Sequence, residues 1–414
     1  MNERGAALPI GAERTVCVCF AHGCLRSRTD LAHVMECFRA NDWQLTRRIP
    51  QASLVIVFTC AFDRYAELKS RRLLAAAVKK KRPDARLVAC GCFSGIMEES
   101  LAKDFDLITV PPRELGERLL DQFEKTPGKE VSIPLVSSGH VNRARNTFSL
   151  VDRVRGTLAT GLEAYDKAVT RISGLRQIRL FAKSRRSGEA TLVIARGCPG
   201  DCTYCAIRPA IGPLRSAPLK ELAVRLEDGF KQGHSDFVII AGDTGAYGRD
   251  IGLTIVDLLR VIFSHAELLR LTIQDLNPQW FNEYADTLIP VLTDNAERIS
   301  MIWLPLQSGS RKVLQRMRRQ YDPEVFLENC LRLRERAPTV AIGTHILIGF
   351  PGESEEDFDQ TLEFCRQARF SDIFVFKYTD RPGTQAADMP DKVPEREKRR
   401  RVARLRSVFP TTVR

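Results

Sequence analysis

The sequence predicts an α/β protein: a small N-terminal sheet of parallel strands, followed by a partial barrel of six strand–helix units. Three observations predict it. The 414 residues exceed one average domain, short apolar runs alternate with amphipathic stretches in both halves, and a basic, weakly periodic segment separates the halves. We therefore place an N-terminal domain at 1–125, a connector at 126–189, the barrel at 190–391 and a basic C-terminal tail at 392–414.

The N-terminal domain is predicted from strands that alternate with helices. The strand candidates are Thr15–Phe20, Leu54–Thr59 and Arg86–Cys90, and the helix candidates cover about 29–40, 64–81 and 114–123. This alternation is typical of parallel strands with helices on both faces of the sheet. No G-x-G-x-x-G follows the first strand, so the dinucleotide-binding fingerprint is absent from the sequence.

Six further strand candidates predict the barrel, and the connector holds one helix candidate, 161–169. The barrel strands are Thr191–Ala195, Phe237–Ala241, Leu268–Thr272, Ser300–Leu304, Val340–Ile348 and Ile373–Phe376. Because (β/α) barrels carry their functional residues at the C-terminal ends of the strands, we expect the chemistry of this chain there.

The composition excludes several classes of protein. Hydrophobic residues make up 44% and charged residues 28%, as in a globular protein. No apolar run approaches the roughly 18–20 residues of a membrane span, and no signal-like segment follows the charged N-terminus. We expect a cytoplasmic monomer without a membrane partner, in which the 12 cysteines stay reduced and serve metal or redox chemistry.

The positive charge is concentrated in two segments. The net charge is +12, and 126–190 and 392–414 each carry +7. A polyanionic partner such as nucleic acid explains this distribution. A solvated linker and a solvated terminal helix explain it equally well.

The most specific motif is a group of three cysteines spaced C-x3-C-x2-C directly after the first barrel strand. Cys198, Cys202 and Cys205 lie on one loop and can each bind one iron of a [4Fe–4S] cluster, leaving the fourth iron open. A structural zinc site would need a fourth Cys or His at similar spacing, and none follows.

A second group of cysteines follows the three predicted N-terminal strands. Cys24, Cys60 and Cys92 each come just after a strand, so a parallel sheet places them at one edge. They are either a second set of three cluster ligands or ordinary buried cysteines. Cys90 is a less suitable ligand, because it falls within a strand.

The C-x3-C-x2-C loop after a strand resembles the radical S-adenosylmethionine (SAM) superfamily. The resemblance implies a partial (β/α)6 radical-SAM barrel, a [4Fe–4S] cluster whose open iron binds SAM, and cleavage of SAM to a 5′-deoxyadenosyl radical. The implied SAM contacts are Tyr204, Gly242, Asp243, Gln307, Ser308 and Gly349.

Four further stretches resemble the radical-SAM methylthiotransferases, over about 14–125 and 190–409. They are the runs at 243–252 (D-T-G-A-Y-G-R-D-I-G), 304–319, 348–353 and 381–384. The first is most similar to the archaeal/eukaryotic-type enzymes that act on N6-threonylcarbamoyladenosine 37 of tRNA.

The methylthiotransferase resemblance implies a transferase that converts C–H to C–SCH3 with two SAM molecules. It also implies an auxiliary [4Fe–4S] cluster on Cys24, Cys60 and Cys92, tRNA as a partner, and an electron donor such as flavodoxin or ferredoxin. All of these are expectations for this chain.

The sequence departs from the family pattern at several points. Ser27 and Thr59 stand where the family usually has Asn, and His345 stands where it has an acid, either as a packing change or as a substrate contact. The printed sequence ends at Arg414 without the family's RNA-binding TRAM barrel. Either the two basic segments take its place, or the same chemistry acts on a peptide or small-molecule natural product. A non-catalytic metal-binding RNA protein is a further alternative.

Overall fold

The computed structural model of the chain describes residues 14–20, 24–97, 102, 107–115, 136–137, 189–265 and 269–413. Within these ranges the predicted α/β architecture is confirmed, as two parallel sheets covered by helices. None of the helices in this part of the chain has the length and apolarity that crossing a membrane requires.

The first sheet has five parallel strands in the order β2-β1-β3-β4-β5. The strands are β1 (Thr15–Phe20), β2 (Gln44–Leu45), β3 (Leu54–Thr59), β4 (Arg86–Gly91) and β5 (Ile108–Val110). Every residue of the central strand β3 is buried, because helices cover both faces of the sheet.

The second sheet has seven strands in the order β14-β13-β12-β11-β10-β7-β6. Six are parallel and follow one another in chain order, as a partial barrel requires, and only β6 is antiparallel. The bounds are β6 (Val136–Ser137), β7 (Ala190–Val193), β10 (Asp236–Ile240), β11 (Arg270–Ile273), β12 (Ile299–Trp303), β13 (Ile342–Ile348) and β14 (Asp372–Lys377). The strands β8 (Ala195–Arg196) and β9 (Arg215–Ser216) form a separate antiparallel ribbon.

Eleven helices are described in these ranges. They are α1 (Leu25–Ala40), α2 (Arg64–Lys80), α3 (Arg208–Ile211), α4 (Leu219–Lys231), α5 (Ile255–His265), α6 (Pro278–Glu283), α7 (Ala285–Asp294), α8 (Arg311–Arg316), α9 (Pro323–Arg336), α10 (Glu355–Ala368) and α11 (Glu395–Val408). Several begin at side-chain caps; Ser354 and Asp357, for example, form a capping box at the start of α10.

The long strands agree with the sequence prediction, and the shortest ones were missed. β1 and β3 have the predicted bounds, whereas β2, β5, β6, β8 and β9 have two or three residues each. In place of the start of the helix predicted at 114–123 there is a 3-10 turn at Pro112–Glu114. The rest of that helix, and the one predicted at 161–169, lie outside the described residues.

The basic C-terminal segment forms helix α11, which packs on the barrel. Leu405 is fully buried against the barrel core. Three arginines of α11 meet acidic side chains: Arg401 lies 2.7 Å from Glu353, Arg400 lies 2.8 Å from Glu355, and Arg404 lies 2.7 Å from Asp359. Much of the positive charge of this segment is therefore matched inside the domain.

Ion pairs and hydrogen bonds join the two domains. Asp30 on α1 is buried and lies 2.8 Å from Arg196 on β8. Arg381 of the barrel domain is also buried; its guanidinium lies 3.0 Å from Glu67 Oε2 and donates to the Ala61 carbonyl at 3.0 Å. These contacts fix the carboxyl edge of the first sheet against the mouth of the barrel.

We predict that Arg381→Met lowers the free energy of unfolding by about 1.5–3 kcal/mol, because a charged hydrogen bond across the domain junction is lost. Urea denaturation measures the change. The surface variant Arg332→Met removes an exposed pair with Asp286 and should cost less than about 1 kcal/mol. Equal losses in the free energy of unfolding would show that the junction contact stabilises the protein no more than an exposed ion pair does.

Candidate functional site

The C-x3-C-x2-C loop begins at a β-ribbon and turns back to it. β8 and β9 pair at its base, and Cys198 N donates to Gly212 O at 3.2 Å. The Gly200 amide donates to Cys198 Sγ at 3.3 Å. A Cβ built on Gly200 would lie 3.5 Å from Cys198 Sγ and 4.0 Å from Cys202 Sγ. The structure thus brings these two thiols to the same side of the loop.

The third thiol belongs to the same group. Burial raises the pKa of Cys205, and the neighbouring Cys202 raises it further. Burial also raises the pKa of Cys198 to about 12, with Asp243 as the next cause. A buried thiol of this kind loses its proton when it binds a metal ion, because the thiolate is the ligand.

The structure also brings Cys24, Cys60 and Cys92 together at the carboxyl edge of the first sheet. Burial raises the pKa of Cys60 well above its usual value, and Cys24 and Cys92 both raise it further. Burial likewise raises the pKa of Cys92 to about 12, with Cys24 as the next cause. Cys90, the less suitable candidate, is fully buried in the core between β4 and α1.

The two groups of thiols face each other across the domain junction. Cys205 of the barrel loop is one of the charges that raise the pKa of Cys92 in the N-terminal domain. Arg26 lies between the groups; its Nη2 donates to Ala241 O of the barrel at 3.1 Å. Its positive charge lowers the pKa values of Cys92 and Cys205 against the effect of burial. The positive charge of Arg26 therefore acts on thiols of both groups.

Asp243 lies beside the barrel loop at the end of β10 and is buried. Its Oδ2 accepts hydrogen bonds from Trp280 Nε1 at 2.8 Å and Asn277 Nδ2 at 3.1 Å. Its Oδ1 has no hydrogen-bond partner among the described residues. Burial raises the pKa of this carboxyl, and its two side-chain donors oppose the shift. An unsatisfied carboxylate oxygen here suits a cationic ligand group.

A cavity of ≈ 120 Å³ adjoins Asp243 and Cys202. Four of its lining residues were missed by the sequence analysis: Asn277, Gln279, Trp280 and Arg319. Arg319 donates to the Pro305 carbonyl at 2.7 Å. The available signal was the dipeptide Asn277-Pro278, which is typical of a helix start and comes shortly after a barrel strand.

Four other predicted SAM contacts have different surroundings. The hydroxyl of Ser308 is buried 3.3 Å from that of Thr361 on α10, and Ser308 is not among the residues that line the cavity. Gln307, at φ +69°, pairs its backbone with β13. The ring of Tyr204 packs against Phe350. Gly349, at φ +78°, leaves no room for a Cβ beside Lys398.

Gly242 is in close contact with the cysteine loop. A Cβ on Gly242 would lie 2.0 Å from Gly197 O and 3.2 Å from Cys198 Cβ. No side chain fits there, because the cysteine loop passes directly over the end of β10.

Both replacements of the family Asn act beside a cysteine. The Ser27 hydroxyl lies 3.4 Å from Cys24 Sγ. Thr59 Oγ1 donates to Cys90 O at 2.6 Å and accepts from Ser94 N at 3.2 Å. These hydroxyls hold the strand-end loops that carry the second group of thiols.

The donor set fits a three-thiolate cluster better than a mononuclear ion. Among the described residues, no three His, Cys, Asp or Glu side chains form a site for a single metal ion. A cubane cluster holds its thiolates farther apart than one ion does, since each thiolate binds a different iron. The free Asp243 Oδ1 beside the loop is consistent with a ligand of such a cluster.

Family comparisons match both domains. Residues 192–365 match the radical SAM superfamily and residues 17–110 match the uncharacterized protein family UPF0004. A tRNA-2-methylthio-N(6)-dimethylallyladenosine synthase from Syntrophobacter fumaroxidans is 29% identical over 93% of this chain and 78% of its own. One with the same name from Nitratiruptor is 28% identical over 93% and 81%.

Over both domains the chain is similar to the radical SAM methylthiotransferases. It is a transferase, and the radical SAM match implies SAM and a [4Fe–4S] cluster as cofactors. The finer resemblance to the archaeal/eukaryotic threonylcarbamoyladenosine enzymes is not supported, because these relatives carry the dimethylallyladenosine name.

Solved structures share the fold. The radical SAM methyltransferase TsrM from Kitasatospora setae has a TM-score of 0.58 and 16% identity, over 91% of this chain and 77% of its own. The cobalamin-dependent enzyme OxsB has a TM-score of 0.55 and 11% identity, over 96% of this chain and 56% of its own. At these identities the likeness concerns the arrangement of the two domains only.

We predict that Gly242→Ala sharply lowers iron binding by the barrel loop, because the new Cβ would collide with the Gly197 carbonyl and displace Cys198. Iron content after anaerobic reconstitution measures the effect. Gly233→Ala serves as a stringent control: nothing lies within 4 Å of a Cβ there, although Gly233, unlike Gly242, has a positive φ of +82° that an alanine strains. Normal iron content in Gly242→Ala would refute the close approach.

Proposed function

We propose that this chain is a tRNA methylthiotransferase that replaces a C–H bond of an N6-substituted adenosine by C–SCH3. The observation that carries the proposal is the convergence of two sets of three thiols on one junction between domains. A generic SAM-cleaving enzyme needs only the barrel set, whereas sulfur insertion needs a second site within reach of the same substrate atom.

Each set has an assigned role in the proposal. Cys198, Cys202 and Cys205 would hold the SAM-cleaving [4Fe–4S] cluster, and the second set, Cys24, Cys60 and Cys92, would hold the auxiliary one. Bound there, the clusters and SAM would supply one-electron SAM cleavage and the sulfur and methyl group for transfer.

The chain's own residues bind and orient the cofactor. Asp243 would accept the SAM amino group through its free Oδ1, while Trp280 and Asn277 fix its Oδ2. Burial of the cavity floor keeps water from the radical chemistry. The resemblance implies five other SAM contacts, and these also remain proposals. The structure shows backbone or packing contacts for all five: Tyr204, Gly242, Gln307, Ser308 and Gly349.

The substrate is proposed from the relatives' names and from charge. The relatives act, by name, on dimethylallyladenosine in tRNA, so we favour this substituent over threonylcarbamoyl. The +7 charge of 126–190 suits an RNA backbone, although nearly all of that segment lies outside the described residues. A peptide or small-molecule substrate is the second candidate, and salt-independent substrate binding would favour it. A single-electron donor of the flavodoxin or ferredoxin class completes the proposal.

We predict that the triple variant Cys24→Ala, Cys60→Ala, Cys92→Ala still cleaves SAM reductively but forms no methylthiolated nucleoside. Liquid chromatography–mass spectrometry of tRNA nucleosides measures the product. Cys19→Ala, in the same domain and outside both sets, should retain the activity. Methylthiolated product from the triple variant would disprove the auxiliary role.

We predict that Asp243→Asn weakens SAM binding about 10- to 100-fold, the equivalent of one charge-assisted hydrogen bond. Equilibrium dialysis with the reconstituted protein measures the affinity. Asp201→Asn is the matched control, because Asp201 lines the same cavity but pairs with Arg318 at 3.2 Å. Equal loss in both variants would remove the assignment of Asp243.

A further inference from the structure

An aromatic surface crosses the domain junction beside the second set of cysteines. Phe62 follows Cys60 by two residues, and its ring centroid lies 5.5 Å from that of Phe376 on β14. Phe62 is 53% exposed. Phe62 thus lies beside a buried thiol and contacts a ring of the other domain while half of its own surface stays exposed. Packing of the core does not require a large ring in such a position.

The surface continues into the barrel. The ring of His345 on β13 lies 5.7 Å from Phe376, 5.9 Å from Phe374 and 5.2 Å from Trp303. Phe374 and Phe376 are two residues apart on one strand and therefore point to the same face. The residue before Phe374, Ile373, packs in the core under the helices, so the rings face the barrel interior. We call Phe62, Trp303, His345, Phe374 and Phe376 the aromatic wall.

One polar pair lies on this wall. His345 Nδ1 is 3.6 Å from Asp275 Oδ1, and Asp275 sits just after β11 with φ +51°. The Asp275 side chain is 45% exposed. Burial lowers the pKa of His345, and a neutral imidazole offers one donor and one acceptor. A neutral donor–acceptor beside a carboxylate matches the polar edge of a nucleobase.

We propose that the aromatic wall binds the base of the substrate nucleotide: Phe62 stacks on its face, Phe376, whose ring is at 76° to that of Phe62, borders it, and His345 with Asp275 hydrogen-bonds its edge. This inference rests on the proposed function and names the surface that selects the substrate. In this chain His345 replaces the family's acid and is thereby a specificity-determining residue.

Two physical arguments support a base as the occupant. A base taken out of an RNA loop loses its stacking, and aromatic rings restore it. The wall also begins two residues after Cys60 and ends on the barrel strands, so a base lying on it spans the junction between the domains. Trp303, which is only 6% exposed, supports the wall from behind.

The test is a binding cycle between Phe62 and the base. Full-length reconstituted protein, without reductant, is titrated with two fluorescein-labelled anticodon stem-loops, one with N6-dimethylallyladenosine at position 37 and one abasic there. We expect the wild type to bind the first at least about fivefold more tightly, the fold-change of one stacked base. Phe62→Leu should lose this preference and keep its affinity for the abasic loop.

Two further variants separate stacking from general damage. Leu68→Ala removes another exposed apolar side chain of the same domain, on α2, and should keep the preference. His345→Phe keeps a ring but removes the polar edge. It should lose discrimination between dimethylallyladenosine and an N6-unsubstituted purine at position 37 while still preferring either to the abasic loop.

The outcomes separate this inference from the proposed function. An unchanged preference in Phe62→Leu overturns the aromatic wall and leaves the tRNA substrate standing. A wild-type protein that binds neither stem-loop overturns the tRNA substrate and the wall together. Loss of affinity for both loops in Phe62→Leu shows a structural role and also overturns the wall.

Discussion

The ion pair between buried Asp30 and partly buried Arg196 is the contact on which the rest of the site depends. Asp30 belongs to α1, the helix that follows Cys24, and Arg196 lies two residues before Cys198. This single contact therefore links a loop of each cysteine set. A buried pair adds little net stability, because desolvation offsets its attraction, but it penalises every alternative alignment of the two sheets.

The alignment of the two sheets determines how the functional residues of the two domains are placed relative to each other. Parallel sheets collect functional residues at their carboxyl edges, and here two such edges meet. Arg26 lies between them and interacts with thiols of both sets. In the proposed reaction the substrate would lie between these two edges, and exclusion of water there would limit side reactions.

Much of this arrangement was predictable from local sequence patterns. Continuous apolar runs gave the bounds of β1 and β3, and position after a strand gave both sets of cysteines. The two-residue strands β8 and β9 were not predictable, because they exist only through pairing with each other. Asn277 and Trp280 were missed because they meet Asp243 through the topology of neighbouring strands. The contact of Ser308 with Thr361 on α10 was not predictable either, because it joins residues that lie far apart in the sequence.

Charge was the least reliable guide. The C-terminal segment carries +7 in the sequence, yet the structure pairs several of its arginines with acidic residues of the barrel domain. Net charge describes a segment, whereas recognition depends on which charges remain unmatched on a surface.

The most direct test of two clusters in one junction is iron quantitation with Mössbauer spectroscopy on anaerobically reconstituted protein. The account predicts about eight irons per chain in two [4Fe–4S] clusters, and about four after alanine replacement of either cysteine set. About four irons in the wild type, unchanged when the N-terminal set is replaced, would contradict it.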